Sequence, residues 1–570
     1  METTLGTDRV NPIMAYIISH NITSPLGMTS AENYSAVKRG RSELAKYPAG
    51  SKGVQEAFCA SLFSEEQDEA LRVDALSPFE SVIVASARRA IADCGVNDIQ
   101  KCRTALIVST TKGNTDLSSP ADSAVRIGKA LGIAGQPIVV CNACISGLAA
   151  VILAKRLLEA AKYDYAIVCG ADRQGKFIIS GFQSLKALSP DECRPFDIER
   201  LGLNLGEAAA TVVMSREKKH PDDWCIVSGA IRNDAYHVSA PSRKGEGLYR
   251  SLRQITVGKQ LESLAFVNAH GTATMFNDQM ESVALDRMQL NSVPVNALKG
   301  YYGHTMGAAG LLELIISAQA ADDGMAVGTR GLEEAGVSGK IQLSSEWLPT
   351  GKHDFIKMLS GFGGCNAAVW ASRDMEEDAA VSDVKLDSRH NVRITPEGVT
   401  IDGKPLHVEA SGADLLTYIY KVMIGGYAKY YKMDCLCRLG FIASELLLQA
   451  EGKPRFEERE DRAVVFCNHS SSVDSDRRYM ESISGEGEYF ASPSVFVYTL
   501  PNIVTGEIAM RNKYHGETSF YILPERNSHT VDEILRTAFS DSATKSVLGG
   551  WIDYQDDEHF IADVSIFERS

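Results

Sequence analysis

The reading of the whole chain turns on "VVCNACISGLAAVILAKRLL", residues 139–158. Its β-branched start predicts a strand, and the long apolar run from Leu148 onward predicts a helix. Cys144 then falls where strand turns into helix, over the first free backbone N–H groups, whose partial positive charge favours thiolate over thiol. The small side chains of "NACISG" leave space for a carbonyl group to approach the sulfur and for a backbone N–H to meet the oxyanion. Taken alone, Cys144 is equally compatible with a buried structural thiol.

Outward from this turn, short β-rich runs alternate with helical patterns. "AYIISHNI" and "RTALIVST" read as strands, "SPFESVIVASARRAIADCG" as a helix stopping at Gly95, and "YAIVCGAD" as a further strand. This alternation predicts a layered α/β domain with a mainly parallel sheet over residues 1–215. A second set, residues 216–372, starts near "WCIVSGAIR" and continues through "LAFVNAHGT", the helix "NDQMESVALDRM", "VPVNAL", the helix "AAGLLELIISAQAA" and "FIKMLSGFGGCNAAVWAS". The two sets read as halves of one fold.

Residues 373–389 lose apolar periodicity and are dominated by charge, as a solvated linker is. The third region, residues 390–570, opens with a hairpin signal in "VRITPEGVTIDGKPL" and continues with "LLTYIYKVMIGGYAKYY" and "LCRLGFIASELLLQA", both read as helical. The Tyr-rich run at 418–431 is assigned to core packing rather than to a membrane-interface helix. The order "RLGFIASELLLQA", "RAVVFCNHSSS", "SPSVFVYTLPNIVTGEIAM", "KSVLGGWIDYQ" repeats that of the first half. In this alignment "YTLPNIVTGE" stands where the first copy has Cys144, and it contains no thiol.

Composition narrows the function classes. A net charge of −15 argues against broad nucleic-acid binding, and 44% apolar residues over 570 positions supply material for two or three cores. "IMAYII", residues 13–18, lacks the basic flank and length of a signal peptide, and no run reaches bilayer-spanning length, so a cytoplasmic protein is expected. The twelve cysteines read as reduced thiols. Cys435 and Cys437 have no second ligand pair at zinc spacing.

Two histidines give Cys144 its context. His270 follows an apolar strand in "VNAHGTAT", and His304 precedes a small-residue helix start in "LKGYYGHTMGAAG". Each alone reads as a loop histidine. Three such groups at strand ends ahead of helices converge on one sheet edge, where α/β active sites form. The motifs "NACISG", "CRPFDIERLGLNLGEAAA", "NAHGTATMFNDQMES", "KGYYGHTMGAAGLLELI" and "SGFGGCNAA", in this order, resemble the β-ketoacyl-acyl carrier protein synthases of the thiolase-like superfamily over roughly residues 14–372. The resemblance is faint in the third region, which looks like a degenerate half of the same fold.

This resemblance implies an α-β-α-β-α fold of two related halves and a decarboxylative condensation. Cys144 carries the acyl group, with the backbone N–H groups of Cys144 and Phe362 as oxyanion hole. His270 and His304 stabilise the malonyl enolate, and Lys299 and Glu313 support them. Thr272 and Thr274 bind the phosphopantetheine arm, and Phe362, beside Gly363, gates the acyl pocket. Asn277, Asp278 and Glu281 are read as scaffold.

No metal or resident cofactor is implied, since substrates ride on the phosphopantetheine of an acyl carrier protein. That acidic partner calls for a local basic patch, with Lys155, Arg156, Arg194 and Arg200 as candidates. Dimerisation through a strand near the nucleophile, as homodimer or ketosynthase-like heteromer, follows from the resemblance. Two departures stand out: Ala273 where glycine is usual, and Cys365 where threonine is usual. The second invites comparison with degradative thiolases, which the paired "HGT" and "GHT" histidines oppose. The rival reading is a catalytically silent ketosynthase-like chain that shapes a partner's pocket.

Overall fold

The computed structural model describes residues 14–374, 386–484 and 490–569. In the first half, strands β1 (Tyr16–Thr23), β2 (Thr104–Ser109), β3 (Ile138–Val140), β4 (Tyr165–Asp172) and β5 (Ala208–Ser215) alternate with helices α1 (Pro78–Asp93), α2 (Pro120–Leu131), α3 (Ser146–Glu159) and α4 (Lys176–Ser184). Local chemistry sets the outer helix starts: Ser77 and Ser119 accept first-turn N–H groups, each ahead of a proline that needs no donor partner. The sheet order is β3-β2-β4-β5-β1, parallel among the first three strands and antiparallel thereafter.

The second half repeats this order with β6 (Trp224–Asn233), β7 (Leu264–Asn268), β8 (Pro294–Asn296), β9 (Asp354–Gly361) and β10 (Cys365–Ser372), arranged β8-β7-β9-β10-β6. Its helices include α5 (Met275–Arg287) and α6 (Ala309–Asp322). Every residue of α3 is buried, as a helix sandwiched between two sheets must be. The starts of α3 and α6 abut: a Cβ on Gly147 would lie 2.9 Å from the Gly307 carbonyl oxygen, and one on Gly310 would lie 2.4 Å from the Leu148 nitrogen. Only glycine permits that approach, which carries the Cys144 turn up to the His304 turn.

The third region builds the same order again. Strands β11 (Leu386–Thr395), β12 (Arg462–Asn468), β13 (Thr518–Ile522), β14 (Ser546–Asp556) and β15 (His559–Arg569) run β13-β12-β14-β15-β11 with the same senses. Its helices include α7 (Cys435–Glu451), α8 (Val473–Ile483), α9 (Pro493–Tyr498), α10 (Ile503–Asn512) and α11 (Ser528–Thr537). β13 pairs antiparallel with β3, matching Tyr521 to Val140 and Ile522 to Val139, so the first and third sheets are continuous. The strand edge expected to receive a second subunit is therefore occupied by this chain itself. Buried ion pairs fasten the third region to both halves, bidentate Arg156–Glu517 to the first and Arg232–Asp541 to the second.

Three expectations change. The repeat is real but its register is shifted: the strand preceding the Cys144-type turn is β13, so the counterpart of Cys144, four residues past the strand, is Arg526 in "LPERN" and not a residue of "YTLPNIVTGE". The latter stretch instead runs from the end of α9 into α10. "LLTYIYKVMIGGYAKYY" is not one helix, because Gly425 and Gly426 at φ +61° and +66° end an α-helical turn at 415–419 and a wider turn at 420–424. Tyr420 and Tyr430 are buried and stack at 3.9 Å, in agreement with core packing. Of the charged stretch 373–389, residues 375–385 lie outside the described residues, and 386–389 already belong to β11 rather than to a linker. No helix among the described residues is long and apolar enough to cross a membrane.

Candidate active site

Cys144 sits in a tight turn, Ala143–Ile145, that runs directly into α3. Ala143 is held at φ +48°, a left-handed conformation that costs a non-glycine residue roughly 1–2 kcal/mol. Two more such residues flank the other reactive positions: Ala273 at φ +59° beyond His270 and Met306 at φ +53° beyond His304. Strain stored at all three turns marks a site over-determined by its surroundings. The left-handed φ of Ala273 also explains why that position suits glycine.

The sulfur is half-buried, and Cys144, His270 and His304 each present a ligand-type atom within 4.8 Å of the others. That spacing would also suit one soft metal ion, and no other His, Cys and acidic group among the described residues has it. The expected thiolate is not favoured at rest. Burial pushes the Cys144 thiol up to about 12, with the Lys299 charge opposing and Asp172 adding to the rise. The helix-terminus field is real but acts in a site that has lost its water, and desolvation wins.

The imidazoles stand edge to face, ring centres 5.0 Å apart. Burial, followed by the Lys299 charge, holds both well below the usual histidine range, so both are neutral. The Met306 N–H donates to His304 Nδ1 at 3.2 Å, which fixes the proton on Nε2. That Nε2 is buried with no partner in the fold, as is His270 Nδ1.

The His270 turn is anchored from two sides. Its own N–H and that of Gly271 donate to the two oxygens of Glu281 at 2.6 and 2.8 Å, and Asn277 Nδ2 donates to the same carboxylate at 2.8 Å. Asp278 accepts from the Phe196 N–H at 2.7 Å. Behind the turn, Lys299 Nζ donates to the His270 carbonyl oxygen at 2.6 Å and to Glu313 Oε1 at 2.8 Å. Sequence reasoning missed the fourth member, Lys357, which donates to Glu313 Oε2 and to the Ala269 carbonyl oxygen. Burial lowers its pKa. A lysine inside the apolar strand "FIKML" was the available signal. Two cations sharing one carboxylate leave a net positive charge behind both imidazoles, which keeps them unprotonated and attracts developing negative charge.

A narrow cavity reaches the sulfur. It is lined by Cys144, Phe362, Phe182 and Lys112, and from the third region by Phe496, Thr499 and Leu500. Its wall is an aromatic cluster in which Phe182 lies 5.5 Å from Phe496 and 6.3 Å from Phe362. Phe496 presses so closely on α4 that a Cβ on Gly181 would lie 2.2 Å from its ring. Lys112 ties the two regions beneath this wall, donating to Asp476 at 2.5 Å and to the Thr499 carbonyl oxygen at 2.6 Å. Thr272 and Thr274 share a hydroxyl hydrogen bond of 2.9 Å just past His270. Phe362 and Gly363 occupy the turn between β9 and β10, and a Cβ on neighbouring Gly361 would lie 3.3 Å from the Cys144 nitrogen. Cys365, fully buried, has its Sγ 3.3 Å from the Phe362 carbonyl oxygen.

The expected basic patch does not exist as read. Lys155 and Arg156 lie at the buried end of α3, paired with Glu159 and Glu517. Arg200 is buried against the carbonyl oxygens of Asp197 and Gly336. Arg194 is partly exposed but shares its charge with Asp197, Glu199 and Glu333.

Comparison with known proteins places the chain among relatives. The "Beta-ketoacyl synthase, N-terminal domain" model matches residues 17–220, and the "Beta-ketoacyl synthase, C-terminal domain" model matches residues 225–333. The 3-oxoacyl-[acyl-carrier-protein] synthase 2 of Rhizobium meliloti is 32% identical over 251 residues, 40% of this chain and 59% of that protein. Its counterpart in Coxiella burnetii is 28% identical over 405 residues, 62% of this chain and 96% of that protein. A solved structure described as "PfaC Keto synthase-Chain length factor" superposes on 97% of this chain and 78% of its own, with a TM-score of 0.75 at 14% identity, so the fold likeness extends through the third region. With both halves of the family pattern matched in order and a thiolase-like fold beneath them, the chain belongs to the β-ketoacyl synthase family.

Proposed function

We propose that this protein condenses an enzyme-bound acyl group with a malonyl unit, both delivered as thioesters of an acyl carrier protein, to form a β-ketoacyl thioester in fatty-acid or polyketide-type synthesis. The observation that carries this reading is the convergence of one sulfur and two neutral imidazoles within 4.8 Å at the wall of a cavity. Cys144 attacks the acyl thioester carbonyl; the carrier sulfur leaves and takes the thiol proton. The backbone N–H groups of Cys144 and Phe362 receive the oxyanion.

In the second step the malonyl carboxylate departs as carbon dioxide, leaving its electron pair as an enolate. His304, whose proton is held on Nε2, and His270 donate to the enolate oxygen. Neutral donors fit this task better than a general base, because loss of carbon dioxide itself generates the carbanion. The Lys299–Glu313–Lys357 group supplies the positive background. The carbanion attacks the acyl carbon, and Cys144 leaves as thiolate. Thr272 and Thr274 hold the phosphopantetheine arm.

The third region, on this reading, is an internal stand-in for a partner subunit. It takes the β3 edge and walls the acyl pocket with Phe496, Thr499 and Leu500. The decisive measurement is carbon dioxide release from malonyl carrier protein. Cys144→Gln retains release and loses condensation; absence of release by the unaltered protein supports the silent-scaffold alternative instead.

A further inference from the structure

The turn at residues 361–364 carries the gate side chain and one of the two oxyanion donors of the mechanism above, so what holds it determines whether acyl transfer works. Its peptide plane between Phe362 and Gly363 is pinned on both sides. The Gly363 N–H donates to the Val238 carbonyl oxygen at 2.6 Å, from the second half of the core. The Phe362 carbonyl oxygen accepts from Asn502 Nδ2 at 2.8 Å, from the third region. The next carbonyl, of Gly363, accepts from Asn233 Nδ2 at 2.8 Å. Asn502 is thus the third region's own hydrogen-bond donor to this turn, and it is 2% exposed.

The contact is built for closeness. A Cβ on Gly363 would lie 2.7 Å from Asn502 Nδ2, and one on Gly506, a turn further along α10, would lie 2.4 Å from the Gly363 carbonyl oxygen. Asn502 Nδ2 also lies 3.8 Å from the Cys365 sulfur, while its Oδ1 is buried without a partner. An asparagine that leaves its own acceptor unsatisfied in order to aim its donor at one carbonyl is costly to bury, by about 1–3 kcal/mol.

Resting on the condensing reading, we infer that Asn502 is a positioning residue for acyl transfer: the third region, though it has no nucleophile, sets the Phe362–Gly363 turn against Cys144 through this side chain. The held plane meets the Gly361–Phe362 peptide, which carries the Phe362 N–H, at the Phe362 Cα; losing the Asn502 bond frees that Cα to shift and carry the ring and the N–H with it, without touching the imidazole pair.

The two half-reactions separate the possibilities. Transfer of an acyl group from carrier protein to Cys144 is followed by intact mass, and decarboxylation of malonyl carrier protein is followed in a Cys144→Gln background. Asn502→Ala is expected to slow transfer by about tenfold or more, a smaller loss than the roughly hundredfold cost of a 1 Å misplacement. Decarboxylation should stay within about twofold, because its donors lie on other turns. Arg526→Ala, on the surface of the same region, should change neither. Should Asn502→Ala fail to fold, Asn502→Asp, of the same shape, is measured in its place with the same expectation. Equal loss of both half-reactions, or unchanged transfer, overturns the inference. If the unaltered protein performs neither half-reaction, the condensing reading itself falls, which is a separate outcome.

Discussion

Helices α3 and α11 follow paired edge strands in two copies of one sheet order, yet their outer faces are opposite. Every residue of α3 is buried. In α11, Ser528 and His529 are exposed and Asp532, Glu533 and Arg536 are partly so, while Val531, Ile534 and Leu535 are buried. The cause is the number of layers. α3 lies between the first and second halves, whereas the third region has no second half to cover α11, so a polar face is required there. What goes missing with that second half is the cluster beside the sulfur, since both imidazoles, Lys299 and Lys357 belong to the second half. A copy with one half keeps the pairing edge and a pocket wall, and lacks the neutral imidazole pair and the lysines behind it.

The sharpest way to break this comparison is to exchange the residues at its equivalent turns. Cys144→Ser should depress condensation by on the order of 10³-fold or more, as removal of a nucleophile does. Arg526→Cys should gain no acyl adduct, because no imidazole pair faces it; a mass increase at residue 526 on incubation with acyl carrier protein would contradict the contrast. Next in size is Glu313→Ala. It strands two buried lysines and should lower stability by about 3–5 kcal/mol in urea unfolding. A loss under 1 kcal/mol would mean that the network is not closed as described.

Phe496→Ala tests the wall that the third region lends to the first. It should let longer acyl groups accumulate on Cys144, read by intact mass with a panel of carrier-bound chains; an unchanged preference would count against the pocket reading. The raised thiol pKa predicts a pH effect with a definite sign. A thiol at about 12 is protonated at neutral pH, so alkylation of Cys144 by iodoacetamide should rise roughly tenfold per pH unit between 7 and 10. A plateau below pH 8, by peptide mapping, would show a thiolate at rest. Smallest is Ala273→Gly, expected to add about 1 kcal/mol by relieving a left-handed alanine.

Much of the site was legible in the residues because its motifs are local. Cys144, His270, His304 and Phe362 each lie in a short run of glycines and small residues where backbone conformation and chemistry are set together. Lys357 was hidden because a strand's burial pattern says nothing about which carboxylate lies behind it. The patch assigned to Lys155, Arg156 and Arg200 failed for the related reason that charge is visible in a sequence and burial is not. The repeat register slipped because α8 and α9 lengthen the third region between β12 and α10, and apolar composition alone aligned α10 with α3.

By itself the amino-acid order determined the alternation of strands and helices, the three copies of a sheet-forming pattern, and the identity of the sulfur and the two imidazoles, since each depends on neighbours within a few positions. Tertiary structure alone decided that β13 pairs with β3, that Arg526 stands in the place of Cys144, and that Asn502 and Phe496 reach the site from more than 100 residues beyond its last motif. Such contacts are settled by which surfaces must leave water together, and that is a property of the assembled layers rather than of any segment.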